Sequence, residues 1–174
     1  MGELVLPPPW AKYVVVNPGG PGRRVVTSRL VARSYKKPGD LRNIYFVDRL
    51  TKKALAEMVA LAIVSDSDPR ALYLVAYNVS SRAAGRSTAY ARISEALRGA
   101  LCARVGRNAY VCPSRAAADE VAAAASRSAV VPVVPATVES ERRVREALGE
   151  ALAEAAELLR WAGSRRAAGG GRGR

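Results

Sequence analysis

Apolar positions along the chain fall into two rhythms. Short segments of apolar, aromatic and β-branched residues stand at KYVVV (12–16), RRVVTSRLVARSY (23–35), NIYFVD (43–48) and NAYVCP (108–113). Each predicts a strand, and NPGGPG between the first two predicts a turn. Helical spacing appears elsewhere. In LTKKALAEMVALAIVS (50–65), Leu55, Met58, Val59 and Ala62 share a face while Lys52, Lys53 and Glu57 point away, which predicts a helix. RSTAYARISEALRG (86–99) turns Tyr90, Ile93 and Leu97 inward behind a cap at Ser87. SRAAADEVAAAAS (114–126) is an alanine-rich helix capped by Ser114. The longest predicted helix covers 139–163, with Val144, Leu148, Leu152, Ala155 and Leu159 as its apolar stripe. AVVPVVPATV (129–138) is extended, and its two prolines predict an edge strand or an irregular segment.

Residues 70–80 fit both rhythms. RALYLVAYNVS has the content of a buried strand, yet Leu72, Val75 and Val79 also share a helical face. The preceding Asp68-Pro69 suits a helix N-cap with a first-turn proline. Local pattern leaves both open. The elements together predict an α/β (α+β) fold: a small mixed or antiparallel sheet flanked by several helices, with a long C-terminal helix. One domain is expected over 1–163, followed by a flexible Gly/Arg-rich tail at 164–174, where SRRAAGGGRGR has little to bury.

Charge narrows the partners. The 174 residues carry a net charge of +13, which draws in polyanions, and nucleic acid is the commonest of these inside cells. No apolar run reaches the roughly 18–20 residues of a membrane span, and the start lacks a signal peptide's pattern, so a cytoplasmic protein with no membrane partner is expected. The absence of histidine removes the usual general base and the usual zinc ligand. Cys102 and Cys112 are the only thiols; buried free thiols are the first reading and a disulfide the second. Asp48, Asp66 and Asp68 sit in turns and read as caps, leaving no catalytic, metal or cofactor site to expect.

The stretch NVSSRAAGRSTAYAR (78–92) concentrates the basic chemistry. A helix starting near Arg86 presents free backbone N–H groups, and Arg82 and Arg86 add forked donors to the same anion. Arg92 lies further along that helix. Lys52 and Lys53, with Arg104 and Arg107 in a turn before a strand, extend the basic surface. Tyr77 and Tyr90 flank the arginine loop as platforms for unpaired bases. The terminal helix, by contrast, gathers glutamates at 139, 141, 146, 150, 154 and 157. Its apolar stripe is covered by the protein's own sheet or by a partner.

A resemblance gives these pieces an order. FVD (46–48) leads into Lys52, Lys53, Ala54 and Leu55; Ser81 follows at a set distance; ISEAL (93–97), Gly106 with AYVC, and ERRVRE (141–146) come later. Together they resemble the small tRNA-binding accessory subunit of the KEOPS complex, the family of the PRPK-binding protein. That complex makes threonylcarbamoyladenosine next to the tRNA anticodon. Ala54 replaces the family's histidine, AAGRSTAY is extra, and no Arg-Gln pair follows Ser81. The resemblance implies a non-enzyme that docks the 3′ CCA end of tRNA. Joined with the basic and aromatic residues above, it makes Lys52, Lys53, Ser81, Arg82, Arg86, Tyr90, Arg92, Arg104 and Arg107 the candidate RNA contacts of this chain. It also implies attachment to a kinase-like ATPase subunit through Val144, Leu148 and Leu152, and it favours a helix at 70–80. The alternative is a generic RNA- or DNA-binding module with a ferredoxin-like fold, related to the small CRISPR adaptation subunit. That reading makes 70–80 a central strand and puts Asn78 where that family carries a metal-binding aspartate.

Overall fold

The computed structural model describes residues 2–18, 41, 43–51, 58–79 and 86–169. The strand expected at 23–35 lies outside them. Among the described residues eight strands form one sheet: β1 Glu3–Leu4, β2 Tyr13–Val16, β3 Ile44–Val47, β4 Val59–Ile63, β5 Leu72–Asn78, β6 Ala103–Gly106, β7 Ala109–Cys112 and β8 Arg127–Pro135. Three helices among the described residues accompany them: α1 Arg86–Ala100, α2 Arg115–Ala123 and α3 Val138–Gly169. The expected mixed α+β architecture with a long C-terminal helix is what forms. α3 runs past residue 163, into the stretch read as tail; residues 170–174 lie outside the described set.

The strand order is β3-β2-β4-β8-β5-β7-β6, with β1 pairing parallel to β8 and every other pair antiparallel. Residues 72–135 run β5-α1-β6-β7-α2-β8, and their strands lie in the order β8-β5-β7-β6. This is the split βαββαβ arrangement of ferredoxin-like folds. β4, β2 and β3 extend it beyond β8.

Two helix expectations fail here for one reason. Within 70–80, Leu72–Asn78 form β5, which pairs with β8 on one side and β7 on the other. Two-sided pairing satisfies both rows of its backbone groups, an advantage local sequence cannot reveal. Asp68 does not cap a helix. Its carboxylate accepts the Arg70 N–H at 2.8 Å and its carbonyl accepts that of Ala71 at 3.0 Å, closing a turn. Likewise Val59–Ile63 of the expected 50–65 helix is β4, held between β2 and β8; residues 52–57 lie outside the described set. MVALAI is a short apolar run buried on both faces, for which helical spacing is not diagnostic.

β8 is interior, not an edge, despite Pro132 and Pro135. The Pro132 carbonyl accepts the Val64 N–H at 3.0 Å, so its missing donor faces β4, whose pairing ends one residue earlier at Ile63↔Val133. Pro135 faces the other way, beyond Leu72↔Val133, where β5 has not yet begun. Each proline stands at the end of a ladder, where no partner expects its N–H.

The sheet curls until its ends meet. Gly106 on β6 lies so close to β2 that a Cβ there would sit 2.7 Å from Val16 Cγ1, and the Asn43 side chain donates to the Arg107 carbonyl. The enclosed face holds the larger core, including Val14, Val16, Phe46, Leu61, Leu74, Val105, Val111 and Val131. α3 closes it with Val144 and the half-buried Leu148. The Ser140 hydroxyl, itself buried, accepts the Ala60 N–H at 2.9 Å and ties α3 to β4. On the opposite face α1 and α2 pack Ile93, Ala117, Ala118 and Val121 against Val75, Tyr77 and Val130. Ser114 caps α2 as expected, its oxygen accepting the Ala117 N–H at 3.2 Å. Cys102 and Cys112 are joined in a disulfide, the second of the two readings of the thiols. β-sheet register explains why: Ala103 pairs with Val111, so the two cysteines are the next opposed positions.

Candidate nucleic-acid interface

Residues 72–112 contain six arginines and a single carboxylate, Glu95. The fold brings three of these arginines, Arg98, Arg104 and Arg107, to the α1–β6–β7 region. In β6, Val105 faces the enclosed core, so Arg104 projects to the helix-covered face and is exposed there. Arg104 is the cross-strand partner of Tyr110 on β7. The turn between these strands holds Arg107, exposed, and Asn108, whose φ of 56° an asparagine tolerates.

Tyr110 stacks on Tyr77 of β5, with ring centroids 6.4 Å apart and planes 13° from parallel. Tyr77 is 6% exposed, and burial pushes its hydroxyl up to about 12, with Tyr110 and Tyr90 adding to the rise and Arg104 opposing it. These four side chains therefore share one electrostatic neighbourhood. Tyr90 and Tyr110 remain half-buried, packed on the rim of the helix-side core. Arg98, near the end of α1, lines a cleft with Tyr110 and Glu154 of α3.

Several carboxylates pair with arginines elsewhere. Along the first turns of α3, Arg142 pairs with Glu139 and Glu146, Arg143 with Glu139, and Arg145 with Glu141. Arg115 pairs with Asp66 and Asp119, and Arg70 with Asp68, which holds the Asp68 carboxyl below its ordinary range. Such exposed pairs add little stability, but they neutralise their arginines locally. Among the described residues, no ion pair engages Arg92, Arg98, Arg104 or Arg107.

The site residues expected from sequence are thus distributed unevenly. Arg104 and Tyr90 come together with Tyr77 and Tyr110, and Arg107 stands at the adjacent turn. Arg92 is exposed on another side of α1, in a wide groove against α2 that Glu95, Ser114 and Glu120 also line. Lys52, Lys53, Ser81 and Arg82 lie outside the described residues. Of Arg86, the described part is its backbone, which opens α1; Ser87 falls inside the first turn instead of capping it. On α3, Val144 is 2% exposed in the protein's own core, Leu148 is half-buried beside it, and Leu152 is 56% exposed. Sequence reading missed Arg98 and Tyr110. Strand alternation in AYVC separates Tyr110 from Ala109 and Val111, but only the sheet order brings it beside Tyr77.

Chemically the surface can bind anions and stack planar rings. Asn78 stands exposed at the end of β5. The described residues contain no group of three histidine, cysteine, aspartate or glutamate side chains able to hold a metal, and no helix among them is long and apolar enough to cross a membrane. The sequence matches no protein-family model, no curated protein and no solved structure.

Proposed function

We propose that the protein is a non-catalytic RNA-binding module that takes single-stranded RNA on the α1–β6–β7 surface. One observation carries the reading. Arginines without ion pairs stand beside half-buried tyrosines, while Asp66, Asp68, Glu139, Glu141 and Glu146 pair with other arginines. Unpaired cations supply phosphate contacts, and tyrosine rings supply platforms that only unstacked bases reach. The test is affinity for single-stranded and duplex RNA across a salt series. Single-stranded RNA should bind more tightly. The log–log salt slope should lose about 2 in an Arg98→Gln, Arg104→Gln, Arg107→Gln variant, from about 0.7 per phosphate contact. An affinity independent of salt, or a preference for duplex, sinks the proposal.

The narrower reading is docking of the tRNA CCA end within the KEOPS complex, with a kinase-like ATPase subunit on the terminal helix. In its favour is the length of α3, which carries Leu152 outward beyond the protein's own core. Against it stands β5, since that family's pattern runs a helix into the position of Ser81. The strand there suits the ferredoxin-like nucleic-acid module instead, although fold alone assigns no function. Binding to a tRNA transcript with and without its CCA end separates the two: loss of most affinity on CCA deletion restores the docking reading.

A further inference from the structure

Where the end of α1, β7 and the outer part of α3 meet, the surface opens into a cleft of about 240 Å³. Its apolar wall comes from Leu97 and Leu101, and Tyr110 lines it with Tyr77 stacked behind. Its polar rim holds Ser94 and Arg98 from α1 and Glu154 from α3. Among the described residues, Arg98 and Glu154 form no ion pair with each other or with any other side chain. Two opposite charges thus face one small space, each free to meet a ligand.

Elimination narrows that ligand. Pockets for drug-sized and cofactor-sized molecules begin at about 300 Å³, so this cleft suits a smaller group. Glu154 repels a bare anion and Arg98 a bare cation, while a purely apolar guest would leave both charges unanswered. A flat ring with hydrogen-bonding edges satisfies every wall: its face stacks on tyrosine and its edge meets the rim. An ionised carboxylate only accepts hydrogen bonds. Guanine alone among the four RNA bases presents two adjacent donors, N1–H and N2–H, for its two oxygens. In adenine and cytosine the amine adjoins a ring-nitrogen acceptor, and in uracil the single N–H lies between two carbonyls. Guanine's third group on that edge, the O6 acceptor, suits the Arg98 guanidinium.

We infer that this cleft is a specificity pocket for one unpaired guanine of a bound RNA strand, stacked on Tyr110 and read by Glu154. The inference rests on the RNA-binding reading and adds base selectivity to it. It is tested with the full chain and labelled octauridylates carrying one central guanosine, adenosine or inosine, at physiological salt. The guanosine oligomer should bind about tenfold more tightly than the adenosine oligomer, within the range of one bidentate base contact. Inosine, which lacks the N2 amine, should fall between them. Glu154→Gln should bring the guanosine-to-adenosine ratio close to one, because an amide offers one acceptor and one donor. Glu154 is exposed, so that variant should fold. Equal affinity for all three oligomers, or an undiminished preference in the variant, overturns the pocket while the RNA-binding reading stands. No binding to any oligomer overturns both.

Discussion

The Cys102–Cys112 disulfide fastens the hairpin that carries Arg104, Arg107 and Tyr110, and its contribution follows from the loop it closes. The two cysteines are ten residues apart. In the chain-entropy account, cross-linking removes about 2.1 + 1.5R ln n cal/mol/K from the unfolded ensemble, or about 9 cal/mol/K here, which is about 2.7 kcal/mol at 25 °C. In a chain of this length each kcal/mol moves the midpoint by about 2–4 °C, so breaking the bond should lower it by about 8 °C. Both sulfurs are buried; reduction is therefore done in denaturant, followed by refolding with reductant present. Thermal unfolding by circular dichroism then compares oxidised and reduced protein, and a thiol-reactive dye counts free cysteines in the unfolded, unreduced chain. A Cys102→Ser, Cys112→Ser variant should unfold at a midpoint insensitive to reductant. Two reactive thiols before reduction, or an unchanged midpoint after it, refutes the reasoning.

Other consequences of the packing are as direct. Ser140→Ala leaves the buried Ala60 N–H without its acceptor and should destabilise by about 1–3 kcal/mol, read as a lower urea midpoint at constant slope. Gly106→Ala drives a methyl group against Val16 and should cost about 1–3 kcal/mol. Adding Val16→Ala should recover part of that loss; a cycle with no coupling means the sheet ends do not meet. Tyr77 should be the last tyrosine to ionise, at about pH 12. Because its folded value lies above the unfolded one, its contribution to stability is complete below about pH 10 and is lost as pH rises toward 12. An ultraviolet titration checks this: Tyr77→Phe should remove the latest step, and an unaltered curve contradicts the burial argument.

Much of the fold is legible in the chain because its signals are local. Tyr13–Val16 and Ala109–Cys112 read as strands from short runs of apolar, aromatic and β-branched residues. α2 reads from its Ser114 cap and alanine content, and α1 from the spacing of Tyr90, Ile93 and Leu97. The stripe of α3 is legible only in part: Val144 and Leu148 reach the core, but Leu152 swings out to 56% exposure, while Ala151 and Ala155 turn toward the cleft by Tyr110. Where a signal serves two structures, neighbours decide. MVALAI and ALYLVAYN each hold apolar residues at both helical and strand spacing, and each became a strand because a flanking strand waited on either side. β8 shows the converse, since a rule against interior proline fails when the two ladders end at the prolines themselves.

The candidate site divides in the same way. Composition by itself determined an excess of arginine, the absence of histidine chemistry, and the concentration of positive charge between residues 72 and 112. Those are sums over residues and need no coordinates. Which arginines stay unpaired, and which tyrosines stand beside them, depends on groups far apart in sequence. Asp66 reaches Arg115 across 49 residues, Tyr77 finds Tyr110 across a β-ladder, and Glu154 lines one cleft with Arg98, without pairing to it, only because α3 returns past the end of α1. Electrostatics and stacking act through space over a few ångströms, so the tertiary structure alone could choose those partners.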